Sequence, residues 1–387
     1  MKIALLAHAL RSGGGIVGGK NFVKALVAAA PQHQYLITVP ADCGYEDIVL
    51  PEGSQFYICP RKPSLLGRLR LEHKEIPNAV NAFDSNAVLG LGNHGLLNID
   101  CIQAIWIRNG YLVYSPRHFP GASLMDRLQI WLQRRHLERV LNHTNLLFCQ
   151  TPVMRQRISS SYGYDIGKIK ILPNAVSAFL QNTNNNLKAK EPKGIAKDKF
   201  NCLVLTKYYT HKNPGIILDT CLKARKHLDG MRFITTIDER DNTRSKHFVK
   251  QVNENKELKE LIRNVGPIAH EELEAYYRNI QLVIMPTLME SFSVTYLEAM
   301  YFGVPILTTD LDFAHYICDE AAEYYDPWKQ ESFLEKLLML KSNTELRKKL
   351  VEAGYRQFRK FPSGWDYMVR TAISELEQVD RELRHHK

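Results

Sequence analysis

The chain has 387 residues, 45% of them apolar and 24% charged, a balance that excludes a disordered or fibrous polymer and suits about two globular domains. No window holds the ~18 uninterrupted apolar residues of a membrane-spanning helix. The net charge of +10 is uneven, because residues 1–180 hold 19 Lys and Arg against 11 Asp and Glu, whereas the rest hold 32 against 30.

That basic excess suits an anionic membrane, an acidic substrate or nucleic acid. Without a zinc-finger or RNP-like motif, no nucleic-acid partner is expected. The seven cysteines are scattered singly with no C-x-x-C pair. This pattern argues for isolated core thiols and a reducing, cytoplasmic location.

The opening "MKIALLAHAL" is uncharged after Lys2 and reads as a buried parallel strand over 2–9. Arg11 and a glycine cluster follow at once, so it reads as a first strand and not as a signal peptide. "SGGGIVGG" then breaks the strand, and "KNFVKALVAAA" has helical spacing. Short apolar runs follow at 34–39, 55–59, 86–91, 102–107 and 145–149. Helical patterns at 64–82 and 123–141 separate some of them. Such β/α alternation predicts a mainly parallel sheet with helices on its faces.

Residues 178–199 carry an Asn run, Pro and Gly, and read as a linker between a first domain at 1–177 and a second at 200–362. The second α/β series starts at "FNCLVLTK" (200–207). Its further strands are expected near 231–237, 282–286 and 304–308. Its helices are expected at 213–226, 244–256, 270–278, 294–302, 330–340 and 343–357. Residues 363–387 end the chain as a long amphipathic helix. Two such domains joined by a linker usually close over a ligand.

"GGIVGGKN" (14–21) fits the phosphate-loop pattern G-x-x-x-x-G-K-[ST] except at Asn21, where a hydroxyl should hold magnesium. A dinucleotide fingerprint fits worse, because no acidic residue closes the next strand. Two readings stay open: a general anion-binding strand, glycine turn and helix N-terminus, or a tight turn alone.

The richest segment is "LVIMPTLMESFSVTYLEAMYFGVPILTT" (282–309). Glu290 lies in the loop after a strand, and Glu298 about one turn into the next helix. Unpaired burial of such a charge is costly, so Glu298, among Tyr296, Leu297, Ala299 and Met300, calls for a partner. The N–H groups of Phe292, Ser293 and Val294 are open at the helix start and suit a phosphate. "LTKYYTHKNPGIIL" (205–218) adds Lys207 at the end of a strand and Lys212 at the next helix start. Two carboxylates for hydroxyls, with two lysines and a helix N-terminus for phosphates, describe a nucleotide-sugar site. The alternative for the glutamates is a pair of surface salt bridges.

"PTLMESFSVTYLEAMYFGVPILTTD" resembles the E-x7-E region of retaining GT-B glycosyltransferases, closest to glycosyltransferase family 4, the group 1 glycosyltransferases. The resemblance extends to "SGGGIVGG", "IKILPNAV" (169–176), "LTKYYTHKN", "NVGPIAHEELEAYYRNIQLVIMP" and "FPSGWDYMV". It implies two Rossmann-like α/β domains facing each other across a cleft, with the last helix crossing back to the first domain. It further implies transfer from a nucleoside-diphosphate sugar to a glycan, lipid-linked or small-molecule acceptor, with retention of configuration.

Carried over, Glu298 binds the donor ribose and Glu290 the transferred sugar. Phe292, Ser293 and Val294 present N–H groups, and Val265 and Ile268 border the base. Gly14 and Gly15 approach the donor from the first domain. Lys207 stands where the pattern usually has Arg, and Ser291 and Ser293 replace two glycines of E-G-F-G. A family histidine near the reacting sugar is replaced by Arg108-Asn109 after the 102–107 strand. His94, in "LGLGNHGLL", is a second candidate for that place, with His118 behind it.

Lysines and helix dipole take the place of a metal, so no metal or further cofactor is expected. The basic amphipathic segments 61–74 and 127–141 suit a peripheral position on an anionic membrane, or else are helices with a solvated basic face. Competing functions are a non-catalytic nucleotide-sugar or glycan-binding protein, and a GT-B epimerase or phosphorylase.

Overall fold

The computed structural model describes residues 1–11, 13–174, 192–362 and 364–385. Two compact units emerge. The first comprises Met1–Tyr114, Ser123–Ala175 and Pro362–Lys387, and the second Ser115–Ala122 and Val176–Phe361. Of the expected linker, 178–191 lies outside the described residues, and 192–199 forms turns.

The first unit holds strands β1 (Lys2–Leu6), β2 (Gln34–Pro40), β3 (Gln55–Cys59), β4 (Ala87–Gly90), β5 (Ile102–Ile107), β6 (Leu146–Cys149) and β7 (Ile169–Ile171). Their order is β3-β2-β1-β4-β5-β6-β7, every neighbouring pair parallel. β4, β5 and β6 are buried throughout. Strands covered on both faces need no polar alternation, which is why they read as continuous apolar runs.

β1 stops at Leu6, short of the expected residue 9. Ala7 N–H still donates to Thr38 O at 2.9 Å, but Leu10 N–H turns back to Ala7 O at 2.9 Å. His8 is thereby left at the carboxyl edge of the sheet. The glycine segment also differs from expectation. Helix α1 runs Gly13–Ala29, so Gly14 and Gly15 lie in its first turn and not in a loop before it. A helical glycine costs about 1 kcal/mol, and packing explains one of these. A Cβ on Gly19 would collide with the Tyr45 hydroxyl and stand 2.8 Å from Leu10 Cδ1.

The helical pattern over 64–82 is interrupted. α2 (Leu65–Arg70) widens into a π turn over Leu71–Glu75 before α3 (Ile76–Ala82). Pro77 has no N–H to offer the His73 carbonyl, which accepts from Asn98 Nδ2 at 3.3 Å instead. α4 (Leu124–Leu141) starts with a capping box between Ser123 and Asp126. The last helix, Trp365–His385, places Met368, Val369, Ala372, Ile373 and Leu376 in one core with Phe22, Val23 and Leu26. That spacing is a single helical stripe, and it returns the chain end to the first unit.

The second unit holds β8 (Phe200–Val204), β9 (Met231–Thr235), β10 (Ile262–Asn264), β11 (Leu282–Met285), β12 (Ile306–Thr309) and β13 (Ala322–Tyr325). They form a parallel sheet in the order β10-β9-β8-β11-β12-β13. In each sheet the chain starts centrally, builds to one edge, then restarts on the other side. The carboxyl edges between β1 and β4, and between β8 and β11, are therefore switch points, where α/β sheets open a crevice for ligands. His118 belongs to the second unit. It is buried, its ring 6.4 Å from that of Trp328, while Arg244 donates to the Gly121 carbonyl.

Candidate functional site

At the second switch point the local bonding decides where each lysine falls. β8 pairs with β9 as far as Val204 and Thr235. The next donor, Thr206 N–H, is taken by the Thr236 hydroxyl at 2.9 Å, so the ladder ends. Lys207 stands on the loop beyond the strand, not at its last residue, with Nζ 3.2 Å from Asp241. Lys212 closes a 3-10 turn, Thr210–Lys212, ahead of the helix Gly215–Lys223 and not at its start.

This loop is tied to the one after β11. Leu288 N–H donates to the His211 carbonyl at 2.6 Å, and the Thr287 hydroxyl does so at 3.3 Å. Those bonds bring Lys212 against Glu290. The two form an ion pair, with Glu290 only 8% exposed. Sequence reasoning placed these side chains at one site but assigned each to a ligand, not to the other.

The helix Val294–Tyr301 starts from Ser293, whose side chain makes no capping bond. Phe292 and Ser293 are buried, and the Phe292 ring meets Phe361 edge-on at 5.7 Å. Glu298 is buried at 6% exposure. It accepts a 2.8 Å hydrogen bond from the Tyr277 hydroxyl, so the partner its burial called for lies within the protein. Tyr277 is itself stacked on Phe302 at 5.1 Å. Burial pushes the Glu298 pKa up, and the Tyr277 bond opposes this. Tyr277 carries no warning in its local sequence. Val265 and Ile268 follow β10, half-buried. Val265 N–H donates to Thr235 O at 2.9 Å, and Gly266 turns the chain with φ +74°.

At the first switch point the organising residue is Asn93, in a left-handed conformation at φ 63°. Its Oδ1 accepts from Arg108 N–H at 2.5 Å and Asn109 N–H at 2.9 Å. The Asn109 side chain caps the turn Gly110–Leu112, accepting from Tyr111 N–H at 3.0 Å, a local duty not foreseen. The Arg108 guanidinium lies over Trp106 at 4.8 Å, and burial pushes its pKa down to about 10. A Cβ on Gly18 would stand 3.6 Å from that guanidinium, an ordinary van der Waals contact. His94 follows β4, and burial lowers its pKa to about 4, keeping it neutral. A Cβ on Gly90 would strike the His94 carbonyl, which fixes glycine there. Among the described residues no three His, Cys, Asp or Glu side chains are grouped to hold a metal ion, and all seven cysteines stand free.

Residues 186–357 match the family model described as Glycosyl transferases group 1. A curated relative, the D-inositol 3-phosphate glycosyltransferase of Paenarthrobacter aurescens, is 24% identical over 178 residues, 45% of this chain and 43% of that protein. The chain spans about half the length of the curated relatives it matches. Two solved structures cover nearly all of it. Sucrose-phosphate synthase of Thermosynechococcus elongatus superposes with a TM-score of 0.72 at 14% identity, over 100% of both chains. HepE of Anabaena, in complex with UDP, gives 0.70 at 14% identity, over 98% of this chain and 100% of that one. The fold is GT-B, two Rossmann-like α/β units, and the second unit carries the group 1 glycosyl transferase pattern.

Proposed function

We propose that this chain is a retaining glycosyltransferase of family 4 that moves a sugar from a nucleoside diphosphate to an acceptor hydroxyl. The observation that carries this reading is the pair of buried carboxylates Glu290 and Glu298, with half-buried Lys212 against Glu290, in the loops and helix that follow β8 and β11, inside the segment that matches the group 1 model. Glu298 would take the ribose hydroxyls and Glu290 those of the transferred sugar. Lys207, Lys212 and the N–H groups of Phe292, Ser293 and Val294 would stabilise the charge that grows on the departing diphosphate. Val265 and Ile268 would border the base, and Gly14, Gly15, His94, Arg108 and Asn109 would serve from the first unit. No second carboxylate stands as a nucleophile in this scheme. The acceptor attacks on the face the diphosphate leaves, and a leaving phosphate oxygen takes its proton.

The test is a panel of UDP-, GDP- and ADP-sugars scored by nucleoside-diphosphate release, with Glu298→Ala as control. One donor should exceed the control by at least about tenfold, and the product should keep the donor's anomeric configuration by NMR. No release from any donor overturns the activity, and an inverted product overturns retention.

The working position would be peripheral, on the cytoplasmic face of an anionic membrane. On α4, Leu124 (87% exposed), Met125, Leu128, Trp131 and Leu132 lie open beside exposed Arg127, Arg135 and Arg139. α2 adds exposed Leu66 and Leu69, and the two segments adjoin through His73 and His136, ring centroids 6.2 Å apart. No helix among the described residues is long and apolar enough to cross a membrane. Apolar side chains rimmed by arginine match an anionic lipid surface. Sedimentation with phosphatidylglycerol vesicles should be strong, lost at high salt, and weakened by Leu124→Ser with Trp131→Ser. Equal binding to phosphatidylcholine vesicles, or none to either, sinks this assignment.

A further inference from the structure

A second cluster at the carboxyl edge of the first sheet surrounds His94 with groups that the donor chemistry leaves without a role. His8 follows β1, His94 follows β4, and Thr38 belongs to β2, so they bracket the first switch point. His8 is 1% exposed, and its Nδ1 lies 3.0 Å from Thr38 Oγ1. Its Nε2 is buried and makes no hydrogen bond among the described residues, and the same holds for Arg11 Nη2. Arg11 is fixed by Nε donating to His8 O at 3.0 Å. The His8 and His94 rings are 6.2 Å apart. Arg68, on α2, adds its positive charge to the field at His8, Arg11 and His94, with its Nε 2.8 Å from Glu72.

Burial lowers the pKa of His8 well below the usual imidazole range, and that of His94 to about 4, the nearby arginines adding to it. Both rings are therefore neutral at neutral pH. The cluster holds two guanidinium groups against the one carboxylate of Glu72. A buried N–H without an acceptor is costly, so a site that keeps one at Arg11 Nη2 is built for something else to accept.

We propose that His8, Arg11 and Arg68, with His94 beside them, bind a phosphate group carried by the acceptor. This deepens the glycosyltransferase reading and rests on it. A carboxylate is satisfied by one guanidinium fork, whereas groups from three separate elements suit the several oxygens of a phosphate. Glu72 sets the polarity, since it holds Arg68 in place and leaves Arg11 as the uncompensated charge.

The experiment reads the cluster directly, without sugar transfer. The full chain carrying Lys207→Ala and Lys212→Ala, which removes the lysines assigned to the donor, is titrated with inorganic phosphate. The Cε1–H signals of His8 and His94 are followed by NMR, assigned through His8→Gln and His94→Gln. Both signals should move saturably. Adding Arg11→Gln should raise the apparent Kd at least about tenfold, with Arg68→Gln as the more exposed second variant. Short-chain phosphatidic acid in place of phosphate separates the two sources: tighter binding assigns a lipid-borne phosphate, equal binding a soluble one. Signals that do not move, that move equally in both arginine variants, or that respond better to acetate overturn the site. A negative titration with intact donor turnover leaves the transferase reading standing, whereas phosphate binding without turnover of any donor removes that reading alone.

Discussion

Lys212→Ala should lower kcat/KM by about two to three orders of magnitude, the usual cost of removing one preorganised group that stabilises leaving-group charge. It should also destabilise the fold. Glu290 is 8% exposed and loses the ammonium it is paired with. A carboxylate left buried without that cation costs about 1–3 kcal/mol, less than for a fully buried pair because Lys212 keeps 24% of its side chain exposed. The two effects separate in the double variant Lys212→Met, Glu290→Gln. No net charge then remains buried, so the melting temperature should recover most of its loss while activity does not. This non-additivity is the signature of a coupled pair. Activity within about tenfold of wild type in Lys212→Ala would remove the lysine from the proposed machinery. A double variant as unstable as the single would mean the ion pair is not what holds the loop.

What could be read beforehand differs by residue for physical reasons. Glu298 was legible because a carboxylate among apolar neighbours is anomalous in one dimension, and it is buried as expected. Its partner Tyr277 was not, because nothing local marks a tyrosine whose hydroxyl will meet a residue 21 positions away. The parallel sheets were legible because strands covered on both faces become unbroken apolar runs. The placing of Lys207 was less so, since the strand end depends on one Thr236 hydroxyl capturing one N–H. Glycine misled over 13–19. Its low helix propensity suggested a loop, whereas at Gly19 the missing Cβ makes room for Tyr45 within a helix. At the first switch point attention fell on His94, yet Asn93 holds the turn through a left-handed backbone. His8 was hidden inside what looked like a longer strand.

Glu298→Gln should weaken donor binding by about tenfold to several hundredfold, since a carboxylate accepts from ribose hydroxyls with charge assistance worth about 1.5–3 kcal/mol per bond, and the amide keeps the shape without the charge. Stability should respond in the opposite sense. The Glu298 pKa is raised in the folded protein, so the folded state holds its proton at a pH where the unfolded chain has released it. Below the ordinary carboxylate range both states are protonated, and burial of this group carries no ionisation cost. As pH climbs from that range through the raised folded pKa, the cost grows, and above it the cost is complete. Glutamine removes the cost and can still accept from the Tyr277 hydroxyl. The variant should therefore melt at or above the wild-type temperature at neutral pH, with the difference shrinking as pH falls toward ~4. Calorimetric titration with the donor identified by the panel, and melts across that pH range, test both halves on one variant. A variant that melts lower at neutral pH while binding donor as tightly as wild type would make Glu298 a structural partner of Tyr277 and no part of a sugar-nucleotide site.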